Sequence, residues 1–375
     1  MSKVVVPPNQ RIRQQSGLAL VSVLLVVALI SSLQIFLVEQ QHLLIRRISN
    51  QNAAEQGYQY AQGLNSWAIR VLAEDEEPAI DYWREDWYRL GRPEPLKEEG
   101  AQGFSLQTTS QAESEQEPLA VIDFGVEGLN FEIVDLQGRF NLNNLQQREP
   151  AAAKAQQTVL MNLLEILDIG EFEERESLVA ALIDWLDEND LARANGVESA
   201  EYQIGEPPYY AADQALTSVG ELRFVAGFTD QIIARLEPYV TVLPASNVRI
   251  NINTTSAEVL AALSSVPVDD IAPVAAFLGE RDEEAFQGFQ SADIQRAENA
   301  IISASVLART PLSNMLQINS QFFAVNSRIT LGDYRYCMRT KLVRMGALQG
   351  AGTPAVSVIG REYDTFCAAS EEAEV

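Results

Sequence analysis

Apolar residues run almost unbroken from Leu18 to Val38, and no charged residue lies between Gln14 and Val38. About twenty apolar residues in a helix span a hydrocarbon core, so this stretch is long enough to cross a bilayer. The helical pattern continues through Glu39 to Leu72, with no Gly or Pro until Gly57. The acidic run Glu74-Asp75-Glu76-Glu77-Pro78 then ends it. Residues 81–90, with Tyr82, Trp83, Trp87 and Tyr88, predict a short packed helix. Residues 91–118, rich in Pro, Gly, Gln, Ser and Glu, read as a linker.

The period next shortens to two. Leu129, Phe131 and Ile133 alternate with Asn130, Glu132 and Val134, as a half-buried strand does, and Val121–Phe124 predicts a strand before it with Glu127-Gly128 in the turn. Leu160, Leu163, Leu164 and Leu167 follow helical spacing, as do Leu178, Ala181, Leu182 and Trp185, and both stripes read as core. Ser218-x-x-Glu221 and Thr255-x-x-Glu258 are capping boxes within two loosely similar helix–loop–helix segments, Leu216–Val240 and Ile252–Phe277. Helical signals persist to about residue 320. Strand alternation returns at Phe323, Val325, Ser327, Ile329 and Leu331, Gly332-Asp333 makes a hairpin turn, and Tyr334, Tyr336 and Met338 continue it. Residues 355–367 predict one further strand, and Ser370–Val375 an acidic, frayed tail. This order predicts an α+β fold: a long N-terminal helix on a small antiparallel sheet, with a helical block inserted in one connection.

Composition narrows the function. The chain carries 27 Lys+Arg against 52 Asp+Glu, a formal charge of −25. Such a surface repels phosphate backbones and suits divalent cations or basic partners, although acidity alone also serves solubility. The segment Ile250–Leu260 has helix-hairpin-helix character, but its hairpin, Ser264-Ser265-Val266-Pro267-Val268-Asp269-Asp270, has no Gly and two acids. DNA binding is therefore not expected. His42 is the single histidine, and neither a Gly-rich phosphate loop nor a nucleophile elbow is present, so the chain reads as a non-enzyme.

The densest acidic cluster holds Asp184, Asp187, Glu188 and Asp190, followed by Glu198 and Glu201. Asp184 and Asp187 share a helix face, and Asn195-Gly196 favours a turn that brings Glu198 and Glu201 back towards them. Converging carboxylates suit Ca²⁺, which takes six to eight oxygens, yet the spacing is not that of an EF-hand and also fits a solvated acidic loop. Cys337 and Cys367 match no zinc motif. In an oxidising compartment a bridge between them would contribute roughly 3–4 kcal/mol; two unpaired buried thiols are the alternative.

Lys3, Arg11 and Arg13 precede the apolar run, which keeps that flank cytoplasmic and exports the bulk of the chain, although Arg46 and Arg47 on the far side weaken the asymmetry. A cleaved signal peptide would have a shorter apolar region ending in small residues. Here the small residue comes first, in Arg13-Gln14-Gln15-Ser16-Gly17-Leu18. That arrangement resembles a prepilin signal, which implies cleavage between Gly17 and Leu18 by a prepilin peptidase, N-methylation of Leu18, and retention of the apolar helix as an anchor. An ordinary signal-anchor is the alternative. Most pilin-like proteins carry Glu as the fifth mature residue, where this chain has Ser22. A carboxylate in a bilayer needs a partner, thought in pilins to be the N-terminal ammonium of the previously added subunit. Its absence fits a first-assembled, tip subunit.

The prepilin start, Gly138-Arg139-Phe140-Asn141-Leu142-Asn143-Asn144-Leu145, the Asp184–Asp187 loop, Pro207-Pro208-Tyr209-Tyr210, Ser218-Val219-Gly220-Glu221-Leu222 and Ile250–Leu260 together resemble the type II secretion system protein K family of minor pseudopilins. The departures are Leu at the mature start, in place of Met or Phe, and the long acidic linker at 91–118. The resemblance implies a leader at 1–17, a membrane segment at 18–38, a pseudopilin body at 39–140 and 321–375, and an inserted all-α, SAM-like domain at 141–320. It further implies an inner-membrane protein with a periplasmic C-terminal domain, assembly with minor pseudopilins I and J at the pseudopilus tip, and calcium in the inserted domain, here assigned to Asp184, Asp187, Glu198 and Glu201. The rival expectations are a minor pilin or adhesin of a type IV pilus and a membrane-anchored periplasmic metal-dependent enzyme.

Overall fold

The computed structural model describes residues 16–75, 77–89, 128–263, 271–283, 285–286, 315–346 and 354–363. The linker at 91–118, the strand Val121–Phe124, the hairpin Ser264–Asp270, Cys367 and the tail Ser370–Val375 lie outside those residues. The chain divides into two compact units at Gln56/Gly57. The first unit's described part is the beginning of α1 (Ser16–Ala73), whose apolar side chains from Leu20 to Val38 are exposed. Among the described residues it is the one helix long and apolar enough to cross a membrane.

In the second unit, the end of α1 buries Gly57, Ala61, Leu64, Ala68, Val71 and Leu72, a stripe at helical spacing. Gly57 is required by contact: a Cβ there would lie 2.5 Å from the Tyr336 ring. A short helix α2 (Asp86–Arg89) adds Trp87 to the same core, edge-on to Phe323. The sheet runs β1 (Leu129–Asp135), β6 (Phe322–Leu331), β7 (Tyr334–Met345), β8 (Ala355–Tyr363), antiparallel throughout. Ile133 pairs with Val325, and Gly332-Asp333 closes the β6–β7 hairpin, with Gly332 at φ +60°. Phe323, Val325, Ile329, Met338 and Leu342 face α1, as alternation requires.

The other face of β6 is also buried, which the half-buried reading did not foresee. Phe322 and Ala324 pack with Leu136 and Leu243 of the helical block. Beside them, Lys341 Nζ donates to the carbonyls of Thr217 (3.0 Å) and Val242 (3.4 Å), and Arg339 pairs with Glu237 at 3.1 Å. The block contains α3 (Pro150–Ile166), α4 (Phe172–Leu186), α5 (Ser199–Tyr202), α6 (Asp230–Leu236), α7 (Ala257–Ala262) and α8 (Ala272–Glu283) around one apolar core. It also contains two short parallel pairs: β2 (Phe140–Asn141) with β3 (Val240–Thr241), and β4 (Ile250–Asn251) with β5 (Leu316–Gln317). The Ser218/Glu221 box opens a 3₁₀ helix, Val219–Phe224, and α7 is capped by Ser256 Oγ, one residue later than Thr255. Thr255 instead closes the preceding turn, its N–H donating to the Asn251 carbonyl (3.0 Å).

The asparagine-rich motif before α3 is a buried staple. Asn143 Nδ2 donates to the carbonyls of Leu216 (3.0 Å) and Leu243 (2.8 Å), while its Oδ1 accepts from Leu216 N–H (2.9 Å). Asn141 Oδ1 accepts from Leu243 N–H, and Asn144 exchanges both bonds with Val248. These amides satisfy loops that have no ladder partner, where an unmade buried bond costs about 1–3 kcal/mol. Asn143→Ala is expected to destabilise the full chain in detergent by about 2–4 kcal/mol, read as a lowered thermal midpoint. Gly57→Val is expected to cost about 1–3 kcal/mol through overpacking against Tyr336; an unchanged midpoint in either variant contradicts its packing role.

Candidate functional site

Asp184 lies in the last turn of α4 with its carboxylate wholly buried, and Asp187 is the helix C-cap. The chain then turns through Asn195, at φ +64°, and Gly196, whose N–H donates to the Arg193 carbonyl (3.0 Å). A Cβ at position 196 would stand 1.9 Å from Asp184 Oδ2, so glycine alone permits this approach. The turn returns Glu198 to the start of α5, where its side chain is buried too.

Asp184 Oδ2 accepts from Arg193 N–H (3.0 Å), and the Arg193 guanidinium lies 3.3 Å from Asp184 Oδ1 and 3.1 Å from Asp187 Oδ2. The Asp184 and Glu198 side chains are both buried, and Glu198 has no charged partner among the described ion pairs. Burial, then the like charges of Asp184 and Asp187, pushes the Glu198 carboxyl up to about 7. Burial raises Asp184 as well, against the lowering pull of Arg193. Desolvated carboxylates that share one cationic partner match the oxygen-rich coordination a hard divalent cation takes. Asp184, Asp187 and Glu198 offer oxygen ligands of that kind, although the triad of described acids whose oxygens all lie within 4.8 Å of one another is Asp75, Asp81 and Glu85.

Arg193 joins two of the four acids singled out from the sequence, Asp184 and Asp187, and the like charges of both act on Glu198. Glu201 does something local: its Oε2 accepts from Glu198 N–H (3.3 Å), capping α5. Asp213 was missed. It sits at φ +50°, donates its N–H to the Trp185 carbonyl (3.1 Å), and burial followed by Asp190 and Asp187 raises its carboxyl. No local signal links it to Asp184, because the connection runs through an aromatic brace. Trp185 meets Tyr202 edge-on at 5.3 Å, Tyr202 stacks on Tyr209 at 5.1 Å, and Tyr209 Oη donates to the Phe224 carbonyl (3.0 Å). The Pro207-Pro208-Tyr209-Tyr210 motif supplies Tyr209 to this brace.

A second acidic group joins Asp75, read in the sequence as part of a helix terminator, to Asp81 and Glu85 of the segment read as a short packed helix. Asp75, Asp81 and Glu85 place one oxygen each within 4.8 Å of one another. Arg344, wholly buried, bridges Asp75 and Asp81. Burial, opposed by Arg344, pushes Asp81 up to about 7. Burial, reinforced by Asp81 and Asp75, pushes Glu85 up to about 9. Elsewhere, Cys337 is buried and disulfide-bonded. Gly17 and Leu18 lie at the start of α1.

Residues 138–245 match the family model described as type II secretion system protein K. The chain is 29% identical to type II secretion system protein K of Pseudomonas aeruginosa over 344 residues, covering 88% of this chain and 90% of that protein. It is 27% identical to the Klebsiella pneumoniae protein of that name over 365 residues, covering 96% and 99%. In fold it resembles a chain of the GspK-GspI-GspJ complex from the enterotoxigenic Escherichia coli type 2 secretion system, with a TM-score of 0.59 and 23% identity over 85% of this chain and 99% of that one.

The raised Glu85 value sets a pH dependence. A carboxyl whose folded value lies above its ordinary 4.5 contributes stability that is full below about 4.5 and is lost as pH rises through about 9. The full chain is therefore expected to lose thermal stability from pH 5 to 9, and Glu85→Gln to flatten that decline. Superimposable pH profiles for the two proteins contradict the assignment.

Proposed function

This chain belongs to the type II secretion system protein K family, and from that premise we propose that it starts and caps the periplasmic pseudopilus as its tip subunit. The observation that carries the tip position is the helical block fixed to the sheet face opposite α1. Lys341, Arg339 and the Phe322/Ala324 contact hold it there. A mass of that size, held rigidly, obstructs addition of another subunit beyond it. Ser22, in place of the usual carboxylate, agrees with a subunit that has no predecessor.

In this reading the prepilin peptidase cuts between Gly17 and Leu18, Leu18 is N-methylated, and 18–38 anchors the chain in the inner membrane. Residues 39–140 and 321–375 form the body and 141–320 the inserted domain, both periplasmic. Apolar packing of the anchor against neighbouring anchors supplies lateral association. Minor pseudopilins I and J, the companions named for the Escherichia coli assembly, are the partners proposed here. Pairing of Cys337 with Cys367 fits an oxidising compartment. No catalytic step is assigned.

Calcium, when bound, supplies positive charge to a cluster of carboxylates. Asp184, Asp187 and Glu198 would hold it, tying the end of α4 to the start of α5. Glu201 orients Glu198 through the backbone bond already described.

Two outcomes test the reading. Full-length protein in detergent is expected to co-purify with pseudopilins I and J as a ternary complex; failure to form it with both partners folded overturns the tip assignment. Chelation is expected to lower the thermal midpoint by roughly 5 °C, and a midpoint indifferent to calcium overturns the calcium assignment alone.

A further inference from the structure

We infer that Arg193 is a tethered cation that neutralises the Asp184–Asp187–Glu198 site while calcium is absent and is displaced when calcium enters. The inference rests on the calcium reading above and adds a regulatory residue to it. One guanidinium touches two of the three carboxylates, at 3.3 Å from Asp184 Oδ1 and 3.1 Å from Asp187 Oδ2. The Asp184 side chain is wholly buried, whereas 47% of the Arg193 side chain is exposed. The arginine head therefore enters from solvent and can leave without unpacking the core.

Its backbone stays fixed meanwhile. Arg193 N–H donates to Asp184 Oδ2, and the Arg193 carbonyl accepts from Gly196 N–H, so the loop keeps its turn whichever way the head points. The neutralisation is incomplete: one positive charge faces three acids, and the like charges of Asp184 and Asp187 still raise the Glu198 carboxyl. A divalent ion supplies more charge and accepts more oxygens than a monovalent fork. Arginine and ion compete for Asp184 Oδ1 and Asp187 Oδ2. Apparent calcium affinity is reduced by the fraction of molecules whose arginine is in place.

The test titrates Ca²⁺ into the full-length protein in detergent by calorimetry, for wild type, Arg193→Gln and Arg193→Lys. Arg193→Gln is expected to bind Ca²⁺ roughly tenfold more tightly, the gain when about nine in ten wild-type molecules hold the arginine in place. It should also melt lower than wild type in chelator, because its acids lose their counter-charge. Arg193→Lys, a point charge that cannot bridge two carboxylates, is expected to fall between the two. Unchanged or weaker affinity in Arg193→Gln overturns the inference and leaves the calcium site standing. A wild type that binds no Ca²⁺ overturns the site itself. Should the variants fail to fold, the wild-type Arg193 Nε–H NMR signal decides. It is expected to be protected from exchange in chelator and to lose protection with Ca²⁺, and protection that persists in saturating Ca²⁺ overturns the displacement.

Discussion

The wholly buried guanidinium of Arg344, on the third strand of the sheet, is the constraint to which the rest of the second unit is fitted. Removing an ion from water costs several kcal/mol unless partners replace the water. Arg344 finds them in distant segments. Asp75 and Asp81 come from the chain leaving α1, and the Ser320 carbonyl from the entry to β6 (2.9 Å). Asp81 is itself held by Ser320 N–H (2.6 Å), and its carbonyl accepts from Asn251 Nδ2 of the block (3.0 Å). The same Asn251 amide reaches Asp135 Oδ2, at the end of β1, where Thr254 and Ser320 also donate. The end of the long helix, the sheet and the block thus meet at one polar junction. Removing one member leaves the others as unpaired buried groups, which is far costlier than the net worth of any single bond.

That junction has a mechanical consequence. It joins the sheet and the helical block of the second unit through buried polar groups rather than through a loose connection. Gln137 accepts from the backbone N–H of Gln321 and Phe322 while donating to the Arg249 carbonyl, a second tie across the same boundary. The Lys341 and Arg339 contacts make a third. The acidic loop after α4 belongs to a different layer of the design. It is braced by Trp185, Tyr202 and Tyr209, so its acids are positioned by aromatic packing and tuned by charge.

Periodicity made much of this legible before any coordinates. The apolar run of α1, the alternation of β6 and β7 and the turn at Gly332 follow from local pattern, and each stands where the pattern puts it. What pattern does not carry is the partner of a buried charge. Arg344 pairs with Asp75 across 269 positions, and a basic residue in an alternating strand reads as solvent-facing. Likewise Asn143 and Asn251 read as loop residues, although they are core hydrogen-bonding elements. Within the acidic loop, Asp184, Asp187 and Glu198 were visible because one turn joins them. Arg193 and Asp213 were not, because their roles depend on where a side chain reaches and how a distant loop returns.

Native-state hydrogen exchange on the full chain in detergent, comparing wild type with Arg344→Met, tests the junction most directly. In the wild type, amides of β6 and β7 and amides of α3 and α4 are expected to share one opening free energy, as a single cooperative unit does. In the variant the two sets are expected to separate. Independent opening of the block in the wild type, with sheet protection unchanged, would contradict the claim that one buried charge holds body and block together.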